Sequence, residues 1–270
     1  MAVLKHYESE WNGLNLAEIA HAMGRNAGAV AKPDFYRFFY QRLQAANFDF
    51  NAAWLQNKQF QSRRMRYYFD KFNLELGYPA RALSIGAGLG VVEAPLLKAG
   101  YDLTLQECQD HSFAYLRQSG LRFQSWIGED LKLIPAQPFD IIFIFTVSYA
   151  ISPRDYPGFL RAVRQLLRPG GRLVLWDPVP SLKALPGLRR VKDRLKRRHS
   201  IFWGWLRTPV EHRRALRQSG FHLDEFYMTD HDDMQYTALS WRIGIHGLSW
   251  GQDLAQWFIC RRPERDACND

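Results

Sequence analysis

A glycine-rich turn between two apolar segments constrains the fold of this chain more than any other feature. The apolar run at residues 82–85 predicts a buried parallel strand, and the turn at residues 86–90 contains three glycines. Residues 91–99 then have helical character, and residues 101–106 alternate like a second strand that ends at Glu107. This order of strand, turn, helix and strand predicts the first crossover of a doubly wound α/β sheet.

Such a crossover binds a nucleotide through three groups that act together. Gly86, Gly88 and Gly90 let the backbone approach a ligand, and the helix N-terminus supplies amide donors with partial positive charge. Glu107 stands where a carboxylate accepts hydrogen bonds from ribose hydroxyls. The alternative is a structural connection between strand and helix that binds no ligand.

The spacing of the glycines separates two classes of cofactor. A dinucleotide-binding turn has the pattern G-x-G-x-x-G, but its third position is Val91 here, and the pattern that stands is G-x-G-x-G. In this respect the chain resembles the class I S-adenosylmethionine-dependent methyltransferases, whose first motif has that form. The resemblance implies an α/β fold with a seven-stranded, doubly wound, mostly parallel sheet. It also implies S-adenosylmethionine (SAM) as methyl donor and S-adenosylhomocysteine (SAH) as product.

Three later segments continue the resemblance in the family's order. Residues 126–131 resemble the acidic motif after the third strand, residues 139–145 the fourth strand, and residues 166–176 the turn into the fifth strand. The likeness covers residues 80–180 well and residues 207–262 loosely, and it does not clearly cover the first 78.

Two positions depart from the family pattern. Ser84 stands where the family commonly has an acidic residue, so other groups would have to contact the methionine ammonium. Pro95 falls inside the predicted first helix, where it removes a hydrogen bond and should produce a kink.

The resemblance also implies a set of site residues. Asp130, in preference to Glu129, would contact the adenine amino group, and Thr146 would border the methyl group together with the end of strand four. Tyr149 is the candidate acid–base residue, and a packing role for this tyrosine is equally compatible with its position. The full cofactor set comprises Gly86, Ala87, Gly88, Gly90, Glu107, Cys108, Asp130, Leu131 and Phe145.

The chain divides into an extension and a sheet domain. Residues 1–78 are rich in aromatic side chains and predict a mostly helical extension that caps the substrate. Residues 79–270 predict the cofactor-binding domain, since strands and helices alternate from residue 79 to 180. A capped helix start at Thr208 and strands near 222–228 and 256–261 complete the seven strands, and the resemblance makes the last one antiparallel.

A basic segment interrupts the sheet domain. Residues 183–217 contain twelve Lys or Arg and two acidic residues, a net charge of +10, whereas the whole chain has +9. Residues 181–207, which overlap this segment, predict a lid-like insertion that ends near Trp203 and Trp205. A solvated lid helix, a surface for anionic substrates or membrane lipids, and a nucleic-acid contact are the three interpretations, with RNA the least favoured.

Composition and cysteine content indicate a compact enzyme of the cytoplasm. Hydrophobic residues make up 47% of the 270, and no apolar run reaches the roughly 18 residues of a membrane span. The N-terminus has no signal-peptide core, and the three cysteines indicate neither a disulfide framework nor a zinc site. We expect residues 231–233, His-Asp-Asp, to form a surface turn and not a metal site. We expect His111 to lie at the start of a helix near the cofactor.

Several acceptors are disfavoured by the residues after the fourth strand. Residues 145–149 contain neither proline nor amide, unlike enzymes that methylate bases or glutamine, and no cysteine nucleophile lies nearby. The favoured function is methyl transfer to an O, N or C atom of a small molecule, anionic or apolar-tailed, and not to DNA. The alternatives are a lipid or quinone methyltransferase at a membrane surface, a non-catalytic nucleoside-binding relative, and an aminopropyl transferase. The sequence leaves the oligomeric state open.

Overall fold

The computed structural model describes residues 3–11, 14–24, 33–45, 56–134, 138–180, 191, 195, 200–230 and 254–264. Most of the basic segment before residue 200, and residues 231–233, therefore lie outside the described residues. Among the described helices, none combines the length and apolar character needed to cross a membrane.

A seven-stranded sheet forms the centre of the molecule. Its strand order is β10-β11-β8-β7-β4-β5-β6. Strand β11 is antiparallel to both of its neighbours, and the other four adjacent pairs are parallel. The predicted doubly wound sheet with an antiparallel last strand is confirmed. The strands are β4 (Ala82–Ile85), β5 (Leu103–Glu107), β6 (Gln124–Ile127), β7 (Phe139–Phe145), β8 (Leu167–Pro178), β10 (His222–Asp230) and β11 (Leu254–Arg261).

Helices cover both faces of this sheet because successive strand residues point to opposite sides. In β7, Ile141 and Phe143 pack in one core and Ile142 and Ile144 in the other. The first core includes α3, α4 and α5, and the second includes α6 and α7. The helices are α1 (Leu16–Ala22), α2 (Pro33–Ala45), α3 (Gln56–Leu76), α4 (Ala94–Lys98), α5 (Ala114–Gln118), α6 (Tyr156–Leu166) and α7 (Pro209–Gln218).

The helix of the first crossover starts later than its sequence predicts. Helix α4 begins at Ala94, not at residue 91, and Pro95 lies in its first turn. A proline there needs no backbone hydrogen bond, because first-turn N–H groups have no partner within a helix. The predicted kink at Pro95 is therefore wrong, and this proline initiates the helix.

The N-terminal extension combines three helices with short strands. Strand β1 (Leu4–Glu8) pairs antiparallel with β9 (Ile201–Leu206), and a short hairpin follows from β2 (Glu10–Trp11) and β3 (Leu14–Asn15). Helix α3 belongs to the main core, where Phe69 and Phe72 are buried. The first 78 residues thus supply one strand of a small second sheet, a short hairpin, two helices beside them and one helix that packs on the central sheet.

Pairing of β1 with β9 changes the interpretation of the tryptophans in the basic segment. Trp203 is 7% exposed and packs against Phe35 and Tyr36 of helix α2. This side chain is therefore part of the protein interior and does not support the interpretation of the basic segment as a surface for membrane lipids. Trp205 contacts Phe202 at a centroid distance of 5.0 Å.

Helix α7 begins as its sequence predicts. The Thr208 hydroxyl accepts a hydrogen bond from the Glu211 amide at 3.3 Å, and the helix runs Pro209–Gln218 before Gly220 turns the chain with φ of +81°. Threonine at this position satisfies an amide that the helix itself leaves unpaired. The chain then enters β10, whose end at Asp230 lies two residues beyond the predicted strand.

Candidate functional site

A cavity of about 790 Å³ opens at the carboxyl ends of the parallel strands. Its floor contains the residues that end β4, β5 and β7, among them Ile85, Glu107 and Phe145. Strands β5 and β7 lie on opposite sides of β4, so the chain order reverses at this point. Ligands of open α/β sheets bind in the crevice that such a reversal creates.

The glycine turn lies against this cavity with left-handed backbone at each glycine. The φ angles of Gly86, Gly88 and Gly90 are +67°, +57° and +72°, which residues with a Cβ adopt only at a cost. A Cβ on Gly86 would meet Val147 at 2.4 Å, and one on Gly90 would meet Leu116 at 2.3 Å. The side-chain positions of these two glycines are therefore filled by neighbouring residues.

Gly88 differs from the other two glycines. A Cβ there would lie 3.6 Å from the Tyr40 hydroxyl, and both Gly88 and Tyr40 line the cavity. Gly86, Ala87 and Leu89 also line it, whereas Gly90 is not among the described lining residues. The structure thus brings the first four residues of the turn to the cavity and places the fifth in the packing below it.

Glu107 connects the turn to the end of β5. Its carboxylate accepts from the Gly88 amide at 2.8 Å and from the Cys108 amide at 2.7 Å. Burial raises the pKa of this carboxyl above its ordinary value, and the two backbone donors oppose that rise. The thiol of Cys108 also lines the cavity, and burial raises its pKa to about 12, so the thiol is neutral at physiological pH.

The acidic motif after β6 contributes to the cavity through neighbours of Asp130. Asp130 is exposed and caps a short 3₁₀ turn, where its side chain accepts from the Lys132 amide at 3.0 Å. Glu129 and Leu131 line the cavity, and Asp130 is not among the described lining residues. His111 is the second residue of another short 3₁₀ turn, Asp110–Phe113. The position of its side chain lies outside what the structure describes.

The end of β7 forms the other side of the cavity. Phe145, Thr146 and Tyr149 all line it, and Thr146 adopts φ of +54°, an uncommon value for a residue other than glycine. The Thr146 amide is fixed by a hydrogen bond to the Trp176 carbonyl at 2.9 Å. The hydrogen bond and the backbone conformation at Thr146 therefore fix the path of the chain from the end of β7 to Tyr149.

Tyr149 is surrounded by other aromatic side chains. Its hydroxyl shares a short hydrogen bond with the hydroxyl of Tyr36, and its ring stacks on Trp203 at 6.5 Å between centroids. Burial raises the pKa of Tyr149 well above that of a free phenol, so its hydroxyl stays protonated at neutral pH. In this state Tyr149 can donate or accept a hydrogen bond, but it has little capacity to remove a proton.

Buried Arg207 holds the turn that carries Tyr149. Its guanidinium donates to the carbonyl of Ser148 and, at 2.6 Å, to the carbonyl of Ile151. The same group lies 4.0 Å from the centre of the Tyr156 ring and within electrostatic reach of buried Asp177. Because the guanidinium contacts both sides of residues 148–151, it fixes the position of this turn.

One wall of the cavity comes from the predicted N-terminal cap and from β9, although the sequence named none of their residues as a site residue. Helix α2 supplies Tyr36 and Tyr40, strand β1 supplies His6 and Glu8, and β9 supplies Trp203. The density of aromatics at residues 34–40 was the available signal for α2. For His6 no local signal exists, since strand β1 reaches the cavity only by pairing with β9.

A polar group of residues lies at another part of the same lining. Lys58 and Gln61 from the start of α3 face the cavity, as do Ser84 of β4 and Glu93 ahead of α4. The Ser84 hydroxyl donates to Glu93 Oε1 at 2.6 Å. A carboxylate is therefore present beside the position where the family commonly has an acidic residue, although it is contributed from nine positions later in the chain.

Comparison with known proteins agrees with this architecture. A family model described as a methyltransferase domain matches residues 56–225, which is more than half of the chain. Comparison with the sequences of curated proteins found none that matches.

Solved structures share the fold at low sequence identity. A SAM-dependent methyltransferase from Methanosarcina mazei is 15% identical with a TM-score of 0.52, over 69% of this chain and 93% of that chain. A magnesium protoporphyrin IX methyltransferase from Synechocystis PCC 6803, solved with bound SAH, is 14% identical with a TM-score of 0.52, over 76% and 82% of the two chains.

The family match begins at the first residue of helix α3 and ends within β10, so it includes the glycine turn, Glu107 and the end of β7. The chain belongs to the methyltransferase domain family, and the likeness to class I SAM-dependent methyltransferases that its motifs indicate is confirmed.

Proposed function

We propose that this protein uses SAM to methylate an O, N or C atom of a small-molecule acceptor held in the cavity above β4 and β7. The observation that carries the proposal is a single cavity with the glycine turn and Glu107 in its lining together with an aromatic wall. Its volume of about 790 Å³ is in the usual range of small-molecule sites, about 300–1,000 Å³.

The cofactor would lie along the turn and the ends of β5 and β6. Glu107 would accept from ribose hydroxyls, and the cavity-facing backbone of Gly86, Ala87 and Gly88 would contact the nucleoside. Adenine would lie near Cys108, Leu131 and the Glu129–Asp130 pair, with Glu129 the better placed of the two carboxylates because it lines the cavity.

When bound, SAM supplies an activated methyl group, so the protein's main task is to align the acceptor with it. Phe145 and Thr146 would border the reacting atoms, since both line the cavity at the end of β7. Orientation of this kind contributes about 7–11 kcal/mol in well-aligned model reactions. Tyr149 would act through a hydrogen bond to the acceptor or through its ring, because burial keeps its hydroxyl protonated.

The aromatic wall supports an acceptor with an extended apolar or aromatic surface. Tyr36, Tyr40, Tyr149 and Trp203 face the cavity from three different elements. Glu8 and Glu10 also line the cavity on this side, and their two carboxylates disfavour a strongly anionic acceptor. Of the two acceptor types that the sequence suggests, the apolar-tailed type is therefore the better fit.

Calorimetric titration with SAM and SAH tests the cofactor assignment. Wild type is expected to bind both, and Glu107→Ala should weaken binding by about 1–3 kcal/mol through loss of charged hydrogen bonds. Glu264→Gln, a change at an exposed residue, is the matched control. Release of SAH in the presence of a panel of phenols, amines and aromatic acids then identifies the acceptor class. Failure of wild type to bind either nucleoside would refute the proposal, and binding without any methyl transfer would favour a non-catalytic relative.

A further inference from the structure

We propose that Lys58, Gln61 and Glu93 form a clamp for an α-amino-acid group, so that the cavity selects nucleosides that carry both a free ammonium and a free carboxylate. The inference rests on the proposed use of SAM and extends it, because it assigns the recognition of the amino-acid end to residues outside the glycine motif. Glu93 would bind the ammonium, Lys58 the carboxylate, and the Gln61 amide would serve either one.

The first observation is a set of buried polar atoms that lack partners. Gln61 is 0% exposed, and neither its amide nitrogen nor its amide oxygen has a hydrogen-bond partner within the described chain. Glu93 is 3% exposed, and its Oε2 likewise has none there. An unpaired polar group in a protein interior is unfavourable and uncommon, so three such atoms on residues that line one cavity indicate that a ligand pairs with them.

The second observation is the arrangement of charge. Lys58 and Glu93 face the same cavity and attract each other electrostatically, which places one cation and one anion in the same part of the lining. Glu107 also lies within electrostatic reach of Glu93, so this part of the lining is near the expected ribose position. A zwitterion is the ligand whose charges match such a pair.

Burial makes the charged forms of both Glu93 and Lys58 less favourable in the ligand-free protein, so each would gain from a ligand group of opposite charge. It raises the pKa of Glu93 to about 7 and lowers the pKa of Lys58 to about 8, because each group loses water without gaining a full partner. A ligand ammonium beside Glu93 and a ligand carboxylate beside Lys58 would restore those interactions. Binding would therefore stabilise the charged forms of both side chains relative to the ligand-free protein.

The clamp also accounts for Ser84. Its hydroxyl donates to Glu93 Oε1 at 2.6 Å, while Oε2 has no hydrogen-bond partner among the described residues and can accept one from a ligand. A serine at this position orients a carboxylate supplied by residue 93, in place of supplying one itself. The site therefore keeps an acidic group at this point although the usual position has lost it.

Three nucleosides separate the parts of the clamp in calorimetric titrations at pH 7.5. SAH carries both charged groups, decarboxylated SAM carries only the ammonium, and 5′-methylthioadenosine carries neither. Wild type is expected to bind SAH at least about tenfold more tightly than 5′-methylthioadenosine, since charged hydrogen bonds are the strong ones. SAM serves as the sulfonium reference for its decarboxylated form.

Two isosteric variants assign the roles. Glu93→Gln should weaken SAH and decarboxylated SAM about tenfold or more and change 5′-methylthioadenosine by less than about twofold. Lys58→Met should weaken SAM and SAH by a similar factor and leave decarboxylated SAM nearly unchanged. Lys132→Met and Glu264→Gln, both at exposed positions, are the controls. Unchanged binding of 5′-methylthioadenosine shows that each variant is folded around the nucleoside.

The outcomes distinguish this clamp from the function on which it rests. Equal affinity of wild type for SAH and 5′-methylthioadenosine would overturn the clamp and leave the cofactor assignment intact. Equal losses for all probes in both variants would also overturn it, because they would indicate a structural role. If wild type binds none of the nucleosides, the proposed function fails and the clamp fails with it.

Discussion

Substitution of Gly90 by alanine separates the packing role of the turn from its binding role. The Cβ that this change adds would lie 2.3 Å from Leu116 Cδ1 and 2.8 Å from its Cγ. Carbon atoms in contact normally lie about 3.5–4.0 Å apart, so Leu116 would have to move by more than about 1 Å. Leu116 is fully buried in the core that α5 shares with the sheet, and it has no free space to enter without cost.

The expected loss of stability has two parts. A side chain at φ of +72° costs about 1–2 kcal/mol, and overpacking of a dense core costs about 1–3 kcal/mol. Gly90→Ala should therefore lower the free energy of unfolding by about 2–5 kcal/mol. Gly88→Ala is the matched comparison, since its Cβ meets no atom closer than 3.6 Å and only the backbone term of about 1–2 kcal/mol applies.

Urea denaturation followed by circular dichroism measures both variants, and SAH titration measures their binding. Gly88→Ala is expected to keep most of its stability and to weaken SAH binding, because its methyl group enters the cavity. Where Gly90→Ala remains folded, it should bind SAH nearly as wild type does. Adding Leu116→Ala to Gly90→Ala should cost less than the sum of the two single changes, since the clash is removed. Equal stabilities of the two glycine variants, or an additive double variant, would refute this reasoning.

Three further predictions concern groups around the cavity. Burial raises the pKa of Glu93 to about 7. The unfolded chain therefore loses this proton at lower pH than the folded protein does, and the free energy of unfolding falls as pH rises from about 4.5 to about 7. Glu93→Gln should therefore raise the free energy of unfolding of the ligand-free protein by about 1–3 kcal/mol at pH 8 and leave it nearly unchanged at pH 4.5; a gain of the same size at both values would contradict the assignment. Tyr149→Phe should cost about 1–3 kcal/mol in urea denaturation by leaving the Tyr36 hydroxyl unpaired, and the double change with Tyr36→Phe should cost less than the sum. Arg207→Met should lower the free energy of unfolding by about 3–5 kcal/mol, because it leaves buried Asp177 and the carbonyls of residues 148 and 151 without their cation. Arg207→Lys should restore little of this stability, since lysine lacks the planar guanidinium. Full rescue by lysine in thermal denaturation would exclude a specific role of the guanidinium.

The central sheet could be predicted because its signals are local. The run of apolar residues, the glycine turn and the threonine cap each determine a structure within a few residues of themselves, and the sheet follows from their order. Pro95 shows the limit of such signals. Its effect depends on whether it lies inside the helix or at its first turn, and element boundaries are less well determined than the elements.

The wall of the cavity formed by β1 and β9 could not be predicted. Leu4 pairs with Leu206 and His6 pairs with Gly204, so the partners are separated by about two hundred residues along the chain. No local pattern encodes such a pairing, which arises when the whole chain has folded. For the same reason a lone Trp203 beside basic residues suggested a surface, while the fold buries it against Phe35.

The residues proposed to bind the cofactor were predictable as a region and less so one by one. Glu107 follows directly from the strand that precedes it, and the structure brings it to the cavity. The distinction between Gly88, which faces the cavity, and Gly90, which faces Leu116, depends on tertiary packing. The proposed role of Glu93 depends on its hydrogen bond with Ser84, a contact across the turn that the spacing of residues in the sequence does not reveal.

A crystal structure of the protein grown with SAH tests the central claim most directly. We expect the nucleoside to lie across the turn at Gly86–Gly88, with its ribose against Glu107 and its amino-acid end beside Lys58 and Glu93. Density for SAH at any other place, or the same crystals with an unaltered cavity and no nucleoside at saturating SAH, would contradict the account.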